Sequence, residues 1–421
     1  MSFNPLEERG IPLERQFRNW SELNTKPYDK NQVHPYSRCR GITMNGIEVE
    51  AAMFSHNMNR HTVDPKIKEM LALVRRVEQQ QQKAVNWLIP GDESTLEVTI
   101  GYEQVAVDLT SWIAQNEPDP YLKQVYDFGL LEDFDHLYRY GNLLLMLEGK
   151  KAEKIVGGLT EITPGRPTIF EHRDPRDDMR RPMTAKAADP QSVLNALTVM
   201  SAEQQTMNFY MTIGNRPMEK LARGLYLEIG QIEEQHVTQY ESIQDPSITW
   251  LENLVWHEYN ECWLYWSFMQ QEPDPNAKAL YELHLNMEIE HLRLACEMMR
   301  NVERRDPAEF LPKRIERPML FKQNKAYVRH VLETQVDLTA DGTQFVPITQ
   351  LPPDHRYYQY QRVVNAGGVP TEQVIAEARA KLPQDYRYES EGPNPVPGLR
   401  PEKERRGAAT EYAEHHRMAA E

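Results

Sequence analysis

Cysteine is scarce in this 421-residue chain. Cys39, Cys262 and Cys296 form no CxxC pair and are too few for a disulfide framework. Cys262 and Cys296 fall within predicted helices, where they read as small core residues rather than reactive thiols. Positive charge is also in short supply: 48 Lys and Arg face 63 Asp and Glu, a net charge of −15. That balance argues against a nucleic-acid or anionic-membrane partner. No apolar run approaches the ~18 residues that a membrane span needs. The opening MSFNPLEERG has neither the basic start nor the apolar core of a signal peptide. The expectation is a soluble, cytoplasmic protein. There is no GxGxxG opening a βα unit, no GxxxxGK[ST] and no GxSxG, so nothing marks a nucleotide, phosphate or serine-nucleophile site.

Helix signal, by contrast, is abundant, and a 40% hydrophobic content suffices for two or three cores. Residues 1–40 show no lasting periodicity and read as a surface arm, with a short helix from about Asn45 to Asn57. Asp64-Pro65, Asp119-Pro120, Asp189-Pro190, Asp245-Pro246 and Asp274-Pro275 each offer an N-cap acid followed by proline at the first helical position. Further helices are predicted from Ser94 to Gln115 and from Pro217 to about Ile243. Residues 41–150 form one helical unit and 189–306 another. Residues 151–188, with Gly157-Gly158, Pro164-Gly165 and the mixed-charge run Glu171 to Arg181, read as a connector. Residues 307–421 read as an extended tail, with helical stretches at Tyr327–Gln335 and Thr371–Lys381 and an extended one at Gln344–Ile348. The run Gly392 to Pro397 and the charged end beyond Pro401 suggest a segment that wraps a partner subunit or stays mobile, hence a homo-oligomer.

The two units are copies of each other. AQNEPDP at Ala114–Pro120 matches MQQEPDP at Met269–Pro275 at an offset of 155 positions. The same offset sets Glu103 on Glu258, Asp133 on Glu288 and His136 on His291. Carried back, it sets Glu48 on Glu203, Glu78 on Glu233 and Gln81 on His236. In the second copy Glu203, then Glu233 and His236, then Glu258, then Glu288 and His291 occupy four successive helices, each in mid-helix on the apolar stripe. A residue pair three apart points the same way from a helix. A buried carboxylate beside a buried imidazole costs several kcal/mol unless something satisfies both, on the order of the penalties for unpaired polar groups. A lone ExxH is ordinarily a solvated face or a satisfied core histidine; two of them with two further glutamates, on separate helices, point to bound metal.

This order of ligands resembles the ferritin-like, rubrerythrin-like di-iron carboxylate superfamily, in which two helices give one Glu each and two give Glu-x-x-His. The resemblance implies an all-α protein of two tandem ferritin-like four-helix bundles. The complete ligand set, Glu203, Glu233, His236, Glu258, Glu288 and His291, would lie in the second bundle and hold two Fe, with Mn or mixed Fe/Mn as alternatives. Glu261, one turn after Glu258, is a candidate extra carboxylate or else a solvated acid. His257 reads as an outer or interfacial residue. The first copy offers Glu48, Glu78, Glu103, Asp133 and His136 but has Gln81 in place of a histidine. It is therefore expected to be degenerate: mainly structural, or a weak second site. Tyr210, Tyr240, Trp256, Tyr259, Trp263, Tyr265 and Trp266 are expected to pack the core, with any near the metals lining a pocket or carrying electrons.

The implied activity is that of an oxidoreductase activating O2 or peroxide to oxidise a small-molecule substrate. With no rubredoxin-like CxxC pair, electrons must come from an external donor or from the substrate. Two alternatives compete: an iron-handling protein of the ferroxidase or storage kind, and a non-catalytic scaffold.

Overall fold

Acids placed just ahead of prolines set most of the long helices. In the computed structural model, which describes residues 2–166, 170–184, 187–381 and 394–396, a short helix α1 (Trp20–Leu23) precedes α2 (Pro35–Arg60), α3 (Pro65–Asn86), α4 (Thr95–Asn116) and α5 (Pro120–Glu148). After the four-residue α6 (Ala152–Ile155) come α7 (Pro190–Ile213), α8 (Lys220–Ser242), α9 (Trp250–Gln271) and α10 (Pro275–Val302). The carboxylates of Asp64, Asp119, Asp189 and Asp274 accept hydrogen bonds from the first backbone N–H groups of their helices. Each such cap stabilises its helix by about 1 kcal/mol. Asp245-Pro246 does not open a helix: the Asp245 carboxylate bonds Ser247 instead, and Thr249 caps α9. Likewise α8 begins at Lys220, not at Pro217. Gly149 ends α5 in a left-handed conformation (φ 65°), where a side chain would be strained.

The repeat is visible in the helix starts. Pro35 and Pro190, Pro65 and Lys220, Thr95 and Trp250, and Pro120 and Pro275 are each 155 residues apart. Within a copy, consecutive helices pair as hairpins: α2 with α3, α4 with α5, α7 with α8, and α9 with α10. Between copies the hairpins are exchanged. The α2–α3 hairpin packs on α9–α10, and α4–α5 packs on α7–α8, so each four-helix group takes one hairpin from each copy. Duplicated hairpins present the same apolar face, so either pairing buries it, as in domain swapping between identical subunits.

The two groups meet through α2 and α7. At this contact a Cβ on Gly46 would lie 2.6 Å from the Gln205 amide nitrogen and 3.1 Å from the Ser201 carbonyl. The Asn45 amide donates to Gln205 Oε1 at 2.7 Å, and the Gln205 amide donates to the Ile42 carbonyl at 2.7 Å. Helix α2 is buried on nearly every side from Tyr36 to Glu48. A helix so enclosed lacks the one-sided stripe that reveals helices in sequence. The predicted arm therefore ends earlier than residue 40, with His34 capping α2, and the predicted helix at Asn45–Asn57 is the middle of a longer one.

Residues 307–381 are not an extended tail. They fold back as α11 (Lys325–Gln335), an antiparallel hairpin of β1 (Leu338–Asp341) and β2 (Gln344–Pro347) with Leu338 opposite Pro347, then α12 (Arg356–Val364) and α13 (Pro370–Lys381). Helices α11 and α13 lie on α5, and α13 also lies on α8, burying Val328, Val331, Leu332 and Val374 against Leu130, Phe134 and Leu137. Half of the Gly392–Pro397 run and all of the charged end beyond Pro401 lie outside the described residues. Among the described residues no helix is long and apolar enough to cross a membrane.

Candidate functional site

Six side chains meet inside the α4–α5–α7–α8 group, hereafter the two-histidine centre. Glu103, His136 and Glu233 bring ligand atoms within 4.8 Å of one another, and so do Asp133, Glu203 and His236. Glu233 joins the two trios: Oε1 is 2.9 Å from His136 Nδ1, and Oε2 is 3.4 Å from His236 Nδ1. His236 Nδ1 also lies 3.3 Å from Asp133 Oδ1 and 3.5 Å from Glu203 Oε2. A carboxylate with one oxygen in each of two ligand groups has the geometry of a bridge between two cations. Glu103 Oε2, Asp133 Oδ1, Glu203 Oε2, Glu233 Oε2 and His236 Nδ1 are buried with no hydrogen-bond partner. Buried polar atoms are ordinarily satisfied, and a convergent set of orphans is one that a cation could satisfy.

The α2–α3–α9–α10 group holds a second cluster, the five-acid centre. Its trios are Glu78, Glu258 and His291, and Glu48, Glu261 and Glu288. Here Glu288 joins the trios, with Oε2 3.0 Å from His291 Nδ1 and its other oxygen accepting from the Gln81 amide. Gln81 stands where the repeat puts His236, and Glu261 stands where it puts Ala106. This centre has thus lost an imidazole and gained a carboxylate. Glu48 Oε2, Glu78 Oε2, Glu258 Oε2 and Glu261 Oε2 are its partnerless buried atoms.

The outer nitrogens of His236 and His291 are hydrogen-bonded, whereas that of His136 has a carboxylate nearby but no hydrogen-bond partner. His236 Nε2 is 2.8 Å from Glu132 Oε2, and Glu132 in turn binds Arg166, at 3.2 Å, and Arg173. His136 Nε2 lies 3.6 Å from Glu171, which accepts from Arg139 Nη1 at 2.7 Å. His291 Nε2 is 2.7 Å from Gln16 Oε1. Such contacts fix the ring so that the other nitrogen faces the carboxylate cluster. Two tyrosines reach in from positions the repeat does not relate: Tyr210 donates to Glu103, and Tyr265 donates to Glu48 while also lying 2.9 Å from His284 Nδ1.

Gln16 and Glu171 are themselves 155 residues apart, as are Arg18 and Arg173. Their backbones are anchored alike: Arg18 N–H donates to Gln80 Oε1 and Arg173 N–H to Gln235 Oε1, both at 3.0 Å. Tyr28 N–H donates to the Leu88 carbonyl and Met183 N–H to that of Ile243, again equivalent pairs. The segment predicted to be a connector is the second copy's arm. It brings buried Arg166, Glu171 and Arg173 to the two-histidine centre, roles the sequence reading did not assign.

Charge reinforces the geometry. Burial pushes Glu103 up to about 8 and Glu203 to about 7, with Glu233 opposite adding to both, and raises Asp133 well above its ordinary value. Burial opposes ionisation of Glu233 too, but His136 and His236 outweigh it and hold that carboxyl low. In the five-acid centre burial pushes Glu78 up to about 7 and raises Glu48, Glu258 and Glu261, each with Glu288 close by. On protein charges alone these acids tend to keep their protons; divalent cations would displace them.

The six residues predicted to form one site are therefore divided. Glu203, Glu233 and His236 meet Glu103, Asp133 and His136, whereas Glu258, Glu288 and His291 meet Glu48, Glu78 and Glu261. The hairpin exchange is the cause, and the first copy is not set apart as a degenerate bundle, since half of each centre comes from it. Glu261 points into its cluster. His257 lies outside the trios, bonded to Glu50 at 2.9 Å and stacked on Phe54. Another acid–histidine group, Asp177, Asp341 and His355, differs in kind: Arg356 neutralises Asp177, and Asp341 is exposed.

The surroundings of the centres differ. Beside Glu78, Glu258 and His291 lies an apolar cavity of about 10 Å³, walled by Phe54, Leu71 and Val74, on the scale of one water molecule. A larger pocket of about 510 Å³ between α1, α2 and α3 reaches Glu48. Helices α5 and α8, which carry four of the six groups of the two-histidine centre, lie beneath α13. No known protein family matches this chain, and no curated protein or solved structure is similar to it.

Proposed function

We propose that the chain is a ferritin-like di-metal carboxylate oxidoreductase carrying two dinuclear centres. The observation that carries the reading is that Glu233 and Glu288 each stand between two trios in which every other carboxylate keeps one buried oxygen without a partner. Four carboxylates and two imidazoles neutralise and suit two Fe(II) ions; five carboxylates and one imidazole shift the preference towards the harder Mn(II). Metal pairs of this kind supply electrons to O2 or peroxide in two-electron steps. The protein residues would hold the ions, orient the imidazoles through Glu132, Glu171 and Gln16, and keep bulk water from the acids by burial. Electrons for the reaction would be drawn from a small substrate or an external donor.

The test is anaerobic loading with Fe(II) followed by mixing with O2-saturated buffer, with oxygen uptake read at an electrode. Uptake of roughly one O2 per dinuclear pair, at a rate well above that of free Fe(II), supports an oxidase or oxygenase. Continued uptake with tens of irons retained per chain would support the iron-handling reading instead. No uptake, with no metal retained, would leave a helical scaffold.

A further inference from the structure

The pocket that reaches Glu48 differs from the rest of the molecule in charge. The chain as a whole carries 63 acids against 48 bases, yet the only acid lining this pocket is Glu48, at its buried end. Its wall carries Arg76, Lys83 and His56. All three are exposed, and among the described residues neither Arg76 nor Lys83 has a carboxylate within ion-pair distance. Opposite them stand Trp20, 84% exposed, and Met53, 39% exposed, the apolar side of the same opening. A volume of about 510 Å³ falls within the range of small-molecule sites. Glu48 Oε2, meanwhile, is one of the partnerless atoms of the five-acid centre, so pocket and centre share a side chain.

We propose that this pocket binds a small organic anion, a monocarboxylate with an apolar body, and holds it against Glu48 beside the five-acid centre. Arg76 and Lys83 take the charged head and Trp20 and Met53 cover the apolar part. It is the unpaired positive charge of Arg76 and Lys83, with no acid but Glu48 in the lining, that favours an anion here in an otherwise acidic protein. The role of the bound anion as a substrate rests on the di-metal reading above; its binding does not.

The experiment is calorimetric titration of the metal-loaded full chain with 4-phenylbutanoate, and separately with 4-phenylbutylamine, which has nearly the same shape and the opposite charge. Metal content is measured on the same samples. The acid is expected to bind once per chain and the amine about tenfold or more weakly. Arg76→Glu with Lys83→Glu should weaken the acid by about tenfold or more at unchanged metal content. Lys66→Glu with Lys68→Glu, the same charge change elsewhere on α3, should leave it unaltered. Trp20→Ala should weaken acid and amine alike. Equal binding of acid and amine, full affinity in the Arg76/Lys83 variant, or no binding of the acid at millimolar concentration would overturn the proposal. A chain that retains no metal yet binds the acid in this way would overturn the functional reading and leave the pocket standing.

Discussion

The two centres began as copies and differ in three ways: ligands, outer contacts and cover. The two-histidine centre keeps both imidazoles, fastens His236 through Glu132 to buried arginines with the Glu171–Arg139 pair near His136, and lies under the folded C-terminal segment. The five-acid centre has replaced one imidazole with Gln81, added Glu261, rests its histidine on neutral Gln16, and adjoins both a small cavity and a surface pocket. The difference teaches that duplication within one chain let the centres diverge in reach while both kept a bridging carboxylate. Under the proposed function the five-acid centre is the one that would meet a substrate, and the two-histidine centre is the more enclosed.

The largest expected effect contrasts Arg173 with its counterpart Arg18. Arg173→Ala strips Glu132 and Asp178 of a buried partner and should cost about 3–5 kcal/mol in denaturant unfolding. Arg18 donates only to His284 from its side chain, and Arg18→Ala should cost about 1 kcal/mol. Equal losses would erase the asymmetry. Next, Gln81→His with Glu261→Ala rebuilds the two-histidine ligand set in the five-acid centre. With iron and manganese supplied equally, the iron fraction bound by the variant should rise; an unchanged ratio would show that donor type does not govern the choice.

A further effect concerns pH. Glu78, Glu103 and Glu203 hold their protons up to about 7 to 8 in the folded metal-free protein, against ordinary glutamate near 4.5. Between about pH 5 and 8 the unfolded chain therefore binds fewer protons, and stability falls as pH rises, by up to about 1.4 kcal/mol per unit for each such group. Chelator-treated protein should lose thermal stability from pH 5.5 to 8, and metal-loaded protein should not. A metal-free protein that gains stability over that range contradicts the burial argument. The smallest effect is kinetic: extraction by a chelator should be biphasic, and Glu288→Ala should remove the faster phase, that of the less covered centre.

Much of this was legible before any coordinates. Four of the five Asp-Pro starts and the helical pairs Asp133/His136 and Glu233/His236 follow from local chemistry, which acts within a turn or two of the chain, and the 155-residue offset from the sequence's likeness to itself. The grouping of the ligands was not legible. Glu203 sits on the same stripe whether α7 and α8 close on α9 and α10 or on α4 and α5, so periodicity is silent on the exchange. The outer residues were missed for a different reason. Glu171 and Arg173 lie in an irregular, Gly- and Pro-rich segment that reads as a loop, and the only signal was the repeat itself, extended back to Gln16 and Arg18. Helices α11 and α13 and strand β2 fall where the sequence places helical and extended stretches, but each is short, and nothing local shows that they dock on α5 and α8 instead of trailing away.

The most direct test of the account is metal content per chain, by elemental analysis, in the unaltered protein and two double variants. About four ions are expected in the former, two per centre. Glu103→Ala with Glu233→Ala, drawn from different copies, should empty one centre and leave about two ions. Glu233→Ala with Glu288→Ala, drawn from the same copy, should disable both centres and leave essentially none. The reverse pattern, with about two ions kept by the Glu233/Glu288 variant and none by the Glu103/Glu233 variant, would mean that each copy closes on itself and that the exchanged centres are wrong.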